Sequence, residues 1–218
     1  MKQKIINALK LNKLAYDAVR ENFKRGMSEA DIKQIILTAC KESEDYSGDI
    51  VGGVRTSFIE GDATDYVLKE GDALILDLQF KLDGVWTDTT RTFFVGKPSK
   101  EQREAYNLCL KAKQAGEIAL KSGVKACEVF GAVKTAFSPF EDKFPHHAGH
   151  IFGLERLIQP QFLPAIETIV KENSFATLEP GIYFENNFGI RVEDNYFVTK
   201  QGIINLFDYS TDLEDFIL

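Results

Sequence analysis

The sequence predicts an α+β fold made of two similar halves, and three observations carry that prediction. Apolar residues at helical spacing fill residues 4–23 and again the stretch from 99 to about 120. Strand-like segments follow each helical block instead of alternating with single helices, so the order helix, helix, strands occurs twice. A short run of letters repeats with it, because Lys69-Glu70 precede Asp77 by the same eight positions as Lys171-Glu172 precede Glu179. Two halves of one design, each offering an acid at a matching strand position, place a site between them.

In the first half, Ile5, Ile6, Leu9, Ala15, Ala18, Val19 and Phe23 form the apolar stripe of a helix that ends at Gly26. Ser28 is the N-cap of a second helix, with Asp31 three residues on and Ile32, Ile35, Ile36 and Ala39 as its stripe. Strands are predicted over 49–59 and 73–95, broken at Gly52-Gly53, Gly61-Asp62 and Gly71-Asp72. Leu74, Leu76 and Leu78 alternate with Ile75, Asp77 and Gln79, and Asp83-Gly84 signals a hairpin, since both central positions of a type I′ turn need positive φ. That loop pairs Leu82 with Val85 and sets Gln79 opposite Asp88, which makes Asp77 and Asp88 diagonal neighbours on one face.

In the second half, Ser99 with Gln102 makes a capping box for a helix to about residue 120, and Gly123 stops it. A shorter helix runs through Val129, Val133 and Phe137. All three histidines follow in a turn-rich run, then a connecting segment, then strands over 175–184 and 190–198. If Glu185-Asn186-Asn187 is a three-residue hairpin loop, Glu179 and Glu193 stand opposite each other; an even-length loop breaks that pairing. The acidic, aromatic tail after Asn205 reads as a packed terminal strand or as an oligomer contact, so a homodimer is a candidate assembly.

At 218 residues the chain is expected to form one domain, 1–218, with pseudo-repeats over about 2–96 and 99–202 and no dividing linker. A formal net charge of −7 with no basic cluster argues against nucleic acid as a partner. No long apolar run predicts a membrane span, and the first ten residues lack the apolar core of a signal peptide, so a cytoplasmic location is expected. Cys40, Cys109 and Cys127 are odd in number and not spaced for zinc; they read as reduced, buried, small apolar residues.

Singly, each polar candidate has a plain reading. One Asp is a solvated strand-end residue, a lone His is a satisfied structural residue, and Glu179 before Pro180-Gly181 is a strand end. Together, Asp77, Asp88, Glu179 and Glu193, with a histidine from the 146–150 run, crowd anions onto a mostly buried face, where repulsion and lost hydration make a cation the natural occupant. Oxygen-rich ligation with one imidazole suits manganese, iron, cobalt or zinc. Four carboxylates are too many for one zinc, and bridging two metals is the usual way to neutralise them.

The phrases around these residues resemble the pita-bread metallopeptidases, the family of methionine aminopeptidase, aminopeptidase P and Xaa-Pro dipeptidase (prolidase). Leu-Asp-Leu at Asp77, Thr-Asp-Thr-Thr-Arg-Thr-Phe at Asp88, His-x-x-Gly-His at His150, Leu-Glu-Pro-Gly-Ile-Tyr at Glu179 and Gly-Ile-Arg-Val-Glu-Asp at Glu193 fill all five metal positions. The match runs to about residue 202 and leans toward the prolidase and aminopeptidase P branch, without the separate N-terminal domain usual there. It implies a pita-bread fold around two divalent ions and a short peptide substrate cut next to proline. Asp77 would chelate one ion, Asp88 and Glu193 bridge both, His150 complete the second, and Glu179 serve as ligand and general base. His146 matches a histidine near substrate, and Arg191 an arginine that steadies a ligand carboxylate.

Two positions depart from the family. Glu60 stands where a loop histidine is usual, and Leu157 where another follows the metal histidine by seven residues. Both family histidines contact substrate or the tetrahedral intermediate, and loss of one such donor costs about 10² to 10³ in rate. Weak or unusual peptidase activity is therefore expected, against a second reading as a catalytically silent peptide-binding protein. A creatinase-like hydrolase is disfavoured, because that branch lacks the ligands complete here.

Overall fold

A computed structural model describes residues 1–218. The chain opens with α1 (Lys2–Asn22) and α2 (Glu29–Ala39), then β1 (Asp45–Gly52), a 3-10 segment (Gly53–Ser57), β2 (Ala73–Leu82), β3 (Val85–Trp86) and β4 (Thr89–Phe94). The plan recurs with α3 (Lys100–Ala119) and α4 (Ala126–Ala136). After them come β5 (His150–Phe152), β6 (Ile158–Gln161), β7 (Phe175–Leu178), β8 (Gly181–Phe184), β9 (Phe188–Arg191), β10 (Asp194–Val198) and β11 (Ile203–Asn205). The helices match in pairs, with 21 and 20 residues in α1 and α3 and 11 in each of α2 and α4. Isolated bridges match too: Ser28, which caps α2, pairs with Val67 ahead of Asp77, and Lys125, before α4, pairs with Ile169 ahead of Glu179.

The capping boxes form as the letters require. Ser28 Oγ accepts from Asp31 N at 3.2 Å and Asp31 accepts from Ser28 N at 2.8 Å; Ser99 and Gln102 exchange the same bonds at 3.2 and 2.7 Å. In the first antiparallel sheet β2 lies between β1 and the pair β3 and β4; the second runs β11-β10-β7-β5-β6, and β8-β9 form a separate ribbon. A continuous core of 51 buried residues draws on both halves, from Ile5 to Phe216. No helix is long and apolar enough to cross a membrane.

Several elements differ from the sequence-based expectation. The first strand stops at Gly52, because Gly53 has φ +57 and a Cβ there would lie 2.4 Å from the Tyr66 hydroxyl, and the chain turns into the 3-10 segment. The connecting segment contains β6, which pairs with β5 across a register shift at His150/Ile151. The strands expected over 175–184 and 190–198 are each cut in two, at Glu179-Pro180 and at Val192-Glu193; Pro180 has no N–H to give a ladder. The tail after Asn205 packs on the body of the chain, not as a strand but as an irregular stretch with a 3-10 turn at Leu213–Phe216. Phe207 and Phe216 are buried, Leu218 N donates to Phe94 O at 2.8 Å, and Gly96 N donates to Leu218 O at 3.0 Å. Cys40 and Cys109 are buried as expected, whereas Cys127 is only half-buried.

Candidate metal centre

Two hairpins bring the acids together. In the first, Asp83 and Gly84 take φ of 52° and 73°, and Leu82 pairs with Val85. The same register continues to Leu78↔Thr89 and Asp77↔Thr90, which sets Gln79 across from Asp88, and Gln79 Nε2 donates to Asp88 Oδ2 at 2.9 Å. In the second, Phe184 pairs with Phe188 around the three-residue loop Glu185-Asn186-Asn187. Its register passes through Gly181↔Arg191 to Leu178↔Asp194, so Glu179 and Glu193 face each other in the gap where the ladder changes sheets. Backbone bonds between Thr90 and Glu193, at 3.0 and 3.4 Å, then dock the second hairpin on the first.

His150 opens β5, where its N–H donates to Thr177 Oγ1 at 3.1 Å and Thr177 Oγ1 donates to Glu179 Oε1 at 3.0 Å. Its Nδ1 lies 3.0 Å from Ile151 O, which makes Nδ1 the protonated nitrogen and leaves Nε2 facing Asp88 Oδ2 at 3.3 Å and Glu179 Oε1 at 3.7 Å. One ligand atom from each of Asp88, His150 and Glu193 lies within 4.8 Å of the others. Asp77 Oδ1, Asp88 Oδ1 and Glu193 Oε1 are buried without any hydrogen-bond partner. Buried anionic oxygens are costly unless something satisfies them, and this donor set fits a hard or borderline divalent cation.

Residues 3–200 match the model of metallopeptidase family M24. The chain belongs to that family. It is 35% identical to an uncharacterized peptidase of Methanocaldococcus jannaschii over 161 residues, 72% of this chain and 46% of that protein. It is 30% identical to the Xaa-Pro dipeptidase of Pyrococcus furiosus over 190 residues, 86% of this chain and 55% of the dipeptidase. Among solved structures, the X-Pro aminopeptidase from Thermotoga maritima superposes with a TM-score of 0.93 at 26% identity, covering 96% of this chain and 61% of that one. The prolidase from Pyrococcus furiosus superposes at 0.91 and 29% identity, covering 95% and 64%. The chain thus spans about half the length of the curated relatives it matches, and its fold is the pita-bread fold of M24 proteins.

These side chains open into a cavity of about 610 Å³ whose wall includes Glu60, Asp77, Asp88, His146, His150, Leu157, Glu179 and Arg191. Glu193 alone among the sequence-derived candidates is absent from that wall; it lies beneath it, with Oε2 accepting from Thr90 Oγ1 at 2.9 Å. Arg191 is buried and forks between Asp77 Oδ2, Tyr183 Oη and Ile59 O, each at 2.8 Å. Both ring nitrogens of His146 are engaged, Nδ1 with His147 O at 2.7 Å and Nε2 with Tyr183 Oη at 2.9 Å.

Burial pushes Asp77 and Glu193 well above the usual carboxylate range; Arg191 opposes the shift at Asp77, and Asp88, Glu179 and Asp77 reinforce it at Glu193. Glu179 goes the other way. Burial would raise it, but His147 and His150 together hold it well below the usual range. Burial lowers His146 to about 4, while at His150 the bond to Asp88 and the charge of Glu179 outweigh burial and raise it to about 9. These opposed shifts describe one crowded anionic pocket sharing too few positive charges.

Three residues at the site were not picked out from the sequence. His147 lies on the cavity wall with Nδ1 3.3 Å from Glu179 Oε1, so a third imidazole is present in the cavity. Asn195 brackets the Asp88 backbone, accepting from its N–H at 3.3 Å and donating to its carbonyl. Arg156 lines the mouth beside Leu157. The doubled His146-His147 was the one signal available in the letters; the others act across long sequence separations.

Proposed function

We propose that this M24 chain is a metal-dependent exopeptidase that hydrolyses short peptides at Xaa-Pro bonds. The observation that carries the reading is the trio of buried, unpartnered oxygens of Asp77, Asp88 and Glu193 gathered beside His150 and Glu179. The resemblance to the Xaa-Pro dipeptidase and X-Pro aminopeptidase named above supports the substrate class. Asp77, Asp88, His150, Glu179 and Glu193 would hold two divalent ions of manganese, cobalt, iron or zinc, which supply an activated water and polarise the scissile carbonyl.

The chain's own residues then divide the work. Glu179, kept anionic and oriented by Thr177 Oγ1, accepts a proton as general base. Arg191 holds Asp77 so that only Oδ1 is free to ligate. His146, with both nitrogens bound inside the protein, steadies Tyr183 and through it Arg191. Leu157, 43% exposed, gives the wall an apolar patch and no donor. Glu60 at the rim would attract a free amino group of the substrate.

The absence of a donor at Leu157 favours a second reading, a silent protein that binds peptide in the same cavity. A panel of Xaa-Pro dipeptides and tripeptides, assayed with manganese, cobalt and zinc, separates the two. Turnover that disappears in Asp88→Ala and Glu193→Ala, together with their metal binding, is expected. Binding of these peptides without turnover under every metal would move the assignment to the silent reading.

A further inference from the structure

We propose that Gln79, locked in one amide orientation by Arg156, is a positioning residue for Asp88, and so sets metal affinity from outside the ligand set. The inference rests on the reading of Asp88 as a metal ligand. Arg156 lies between β5 and β6 in the second half, and Gln79 on β2 in the first. Arg156 Nη1 donates to Gln79 Oε1 at 3.0 Å and to Ser47 Oγ at 2.5 Å, and its guanidinium sits 5.5 Å from the centre of the Trp86 ring. Gln79 Nε2 in turn donates to Asp88 Oδ2 at 2.9 Å.

The chemistry of the chain of contacts is directional. A guanidinium has donors only, so the group it touches on Gln79 must be the carbonyl oxygen, and the amide NH₂ must face Asp88. Without Arg156 the flipped rotamer, which turns Oε1 toward a carboxylate, is opposed only by that carboxylate's own repulsion. With Arg156 in place, Asp88 is held through Oδ2 on one side and through its backbone by Asn195 on the other, and Oδ1 is left buried without a partner. Partners of ligand carboxylates commonly govern metal affinity 10- to 100-fold.

Positioning and plain electrostatics make opposite predictions. Removing a positive charge from the mouth of a cation site should tighten cation binding if charge is all that Arg156 contributes. If Arg156 acts through Gln79, its loss should weaken binding. The test is calorimetric titration of the chelator-stripped full chain with manganese(II). Gln79→Ala and Arg156→Ala are each expected to weaken the tighter ion by about 10-fold or more, and the double variant to be no weaker than the worse single within about two-fold, because both act on one contact. Gln79→Met, which keeps the volume and loses both polar ends, should match Gln79→Ala, and thermal melting of the stripped variants checks that each is folded. Tighter binding by Arg156→Ala, unchanged affinity in folded Gln79 variants, or full additivity in the double variant would overturn the proposal. If Asp88→Ala leaves manganese binding intact, the reading of the site itself has failed and not this inference alone.

Discussion

Leu157 lines the cavity with a side chain that has no hydrogen-bond donor for a developing oxyanion, and Glu60 lines it with a carboxyl group where the family resemblance implies an imidazole. Under the proposed function, the double change Glu60→His with Leu157→His should raise turnover on Xaa-Pro peptides by about 10-fold or more, since a positioned donor stabilises the transition state more than the ground state. The check is kcat on metal-loaded, folded protein; no gain would mean that these positions do not limit the reaction. His147 offers a different test. It faces Glu179 at 3.3 Å, so His147→Ala should lower kcat more than it raises KM, and an unchanged kcat would confine it to a packing role. The acids were legible in the letters because hairpin register follows from turn length: Asp83-Gly84 and Glu185-Asn186-Asn187 fix which residues face each other. Gln79 was placed opposite Asp88 by the same counting; Arg156 and Asn195 were not legible, because Arg156 lies 77 residues from Gln79 and Asn195 107 from Asp88, and no local pattern encodes such meetings.

Helix starts were written locally and could be read locally. Ser28→Ala removes one half of the α2 capping box and should cost about 1 kcal/mol, or about 2–4 °C in Tm for a chain of this size, by calorimetry. Asp31, the other half, is held below its usual pKa by its bonds to Ser28. A carboxylate depressed in the folded state stabilises above its unfolded pKa, about 3.9, and that contribution fades as pH falls through the folded value. The stability gap between the protein and Asp31→Asn should therefore be full at neutral pH and vanish in acid; a gap that persists at pH 2 would exclude the cap as its cause. Strand limits were less legible. A Cβ on Gly48 would lie 2.1 Å from Asp77 O, and one on Gly149 would lie 2.1 Å from Thr177 O, so a close approach of backbones occurs within each half. Glycine letters alone do not reveal which neighbouring strand comes that near. Gly48→Ala should displace the strand that carries Asp77 and weaken folding, and unchanged thermal stability would argue against that contact.

The two halves share one core, and the acids lie where they meet. With four carboxylates converging there, any bound cation that prefers the folded state stabilises by mass action, about 2.7 kcal/mol at a hundredfold excess over Kd. Chelation should thus lower Tm, and added manganese should restore it; indifference to both would contradict metal binding. Alkaline behaviour follows from the thiols. Burial lifts Cys40 to about 12 and Cys109 higher still, so the unfolded chain, with thiols near 8.5, loses those protons first. Their contribution is full below about 8.5 and is lost as pH climbs toward the folded values. At pH 8 a thiol reagent should label half-buried Cys127 first, and rapid labelling of all three would mean that the native core opens readily.

The second hairpin keeps one register from the Phe184↔Phe188 pair, past the break, to the Phe197↔Phe175 pair, so the meeting of Glu179 and Glu193 is a matter of counting residues along two arms of equal length. Lengthening the tip at 185–187 leaves both counts unchanged. One residue added between Phe188 and Glu193 alters a single arm and turns Glu193 onto the opposite face of its strand. In a scan of single-residue insertions, tolerance at the tip should give way within a few positions to complete loss of metal binding, a boundary set by arithmetic and not by burial.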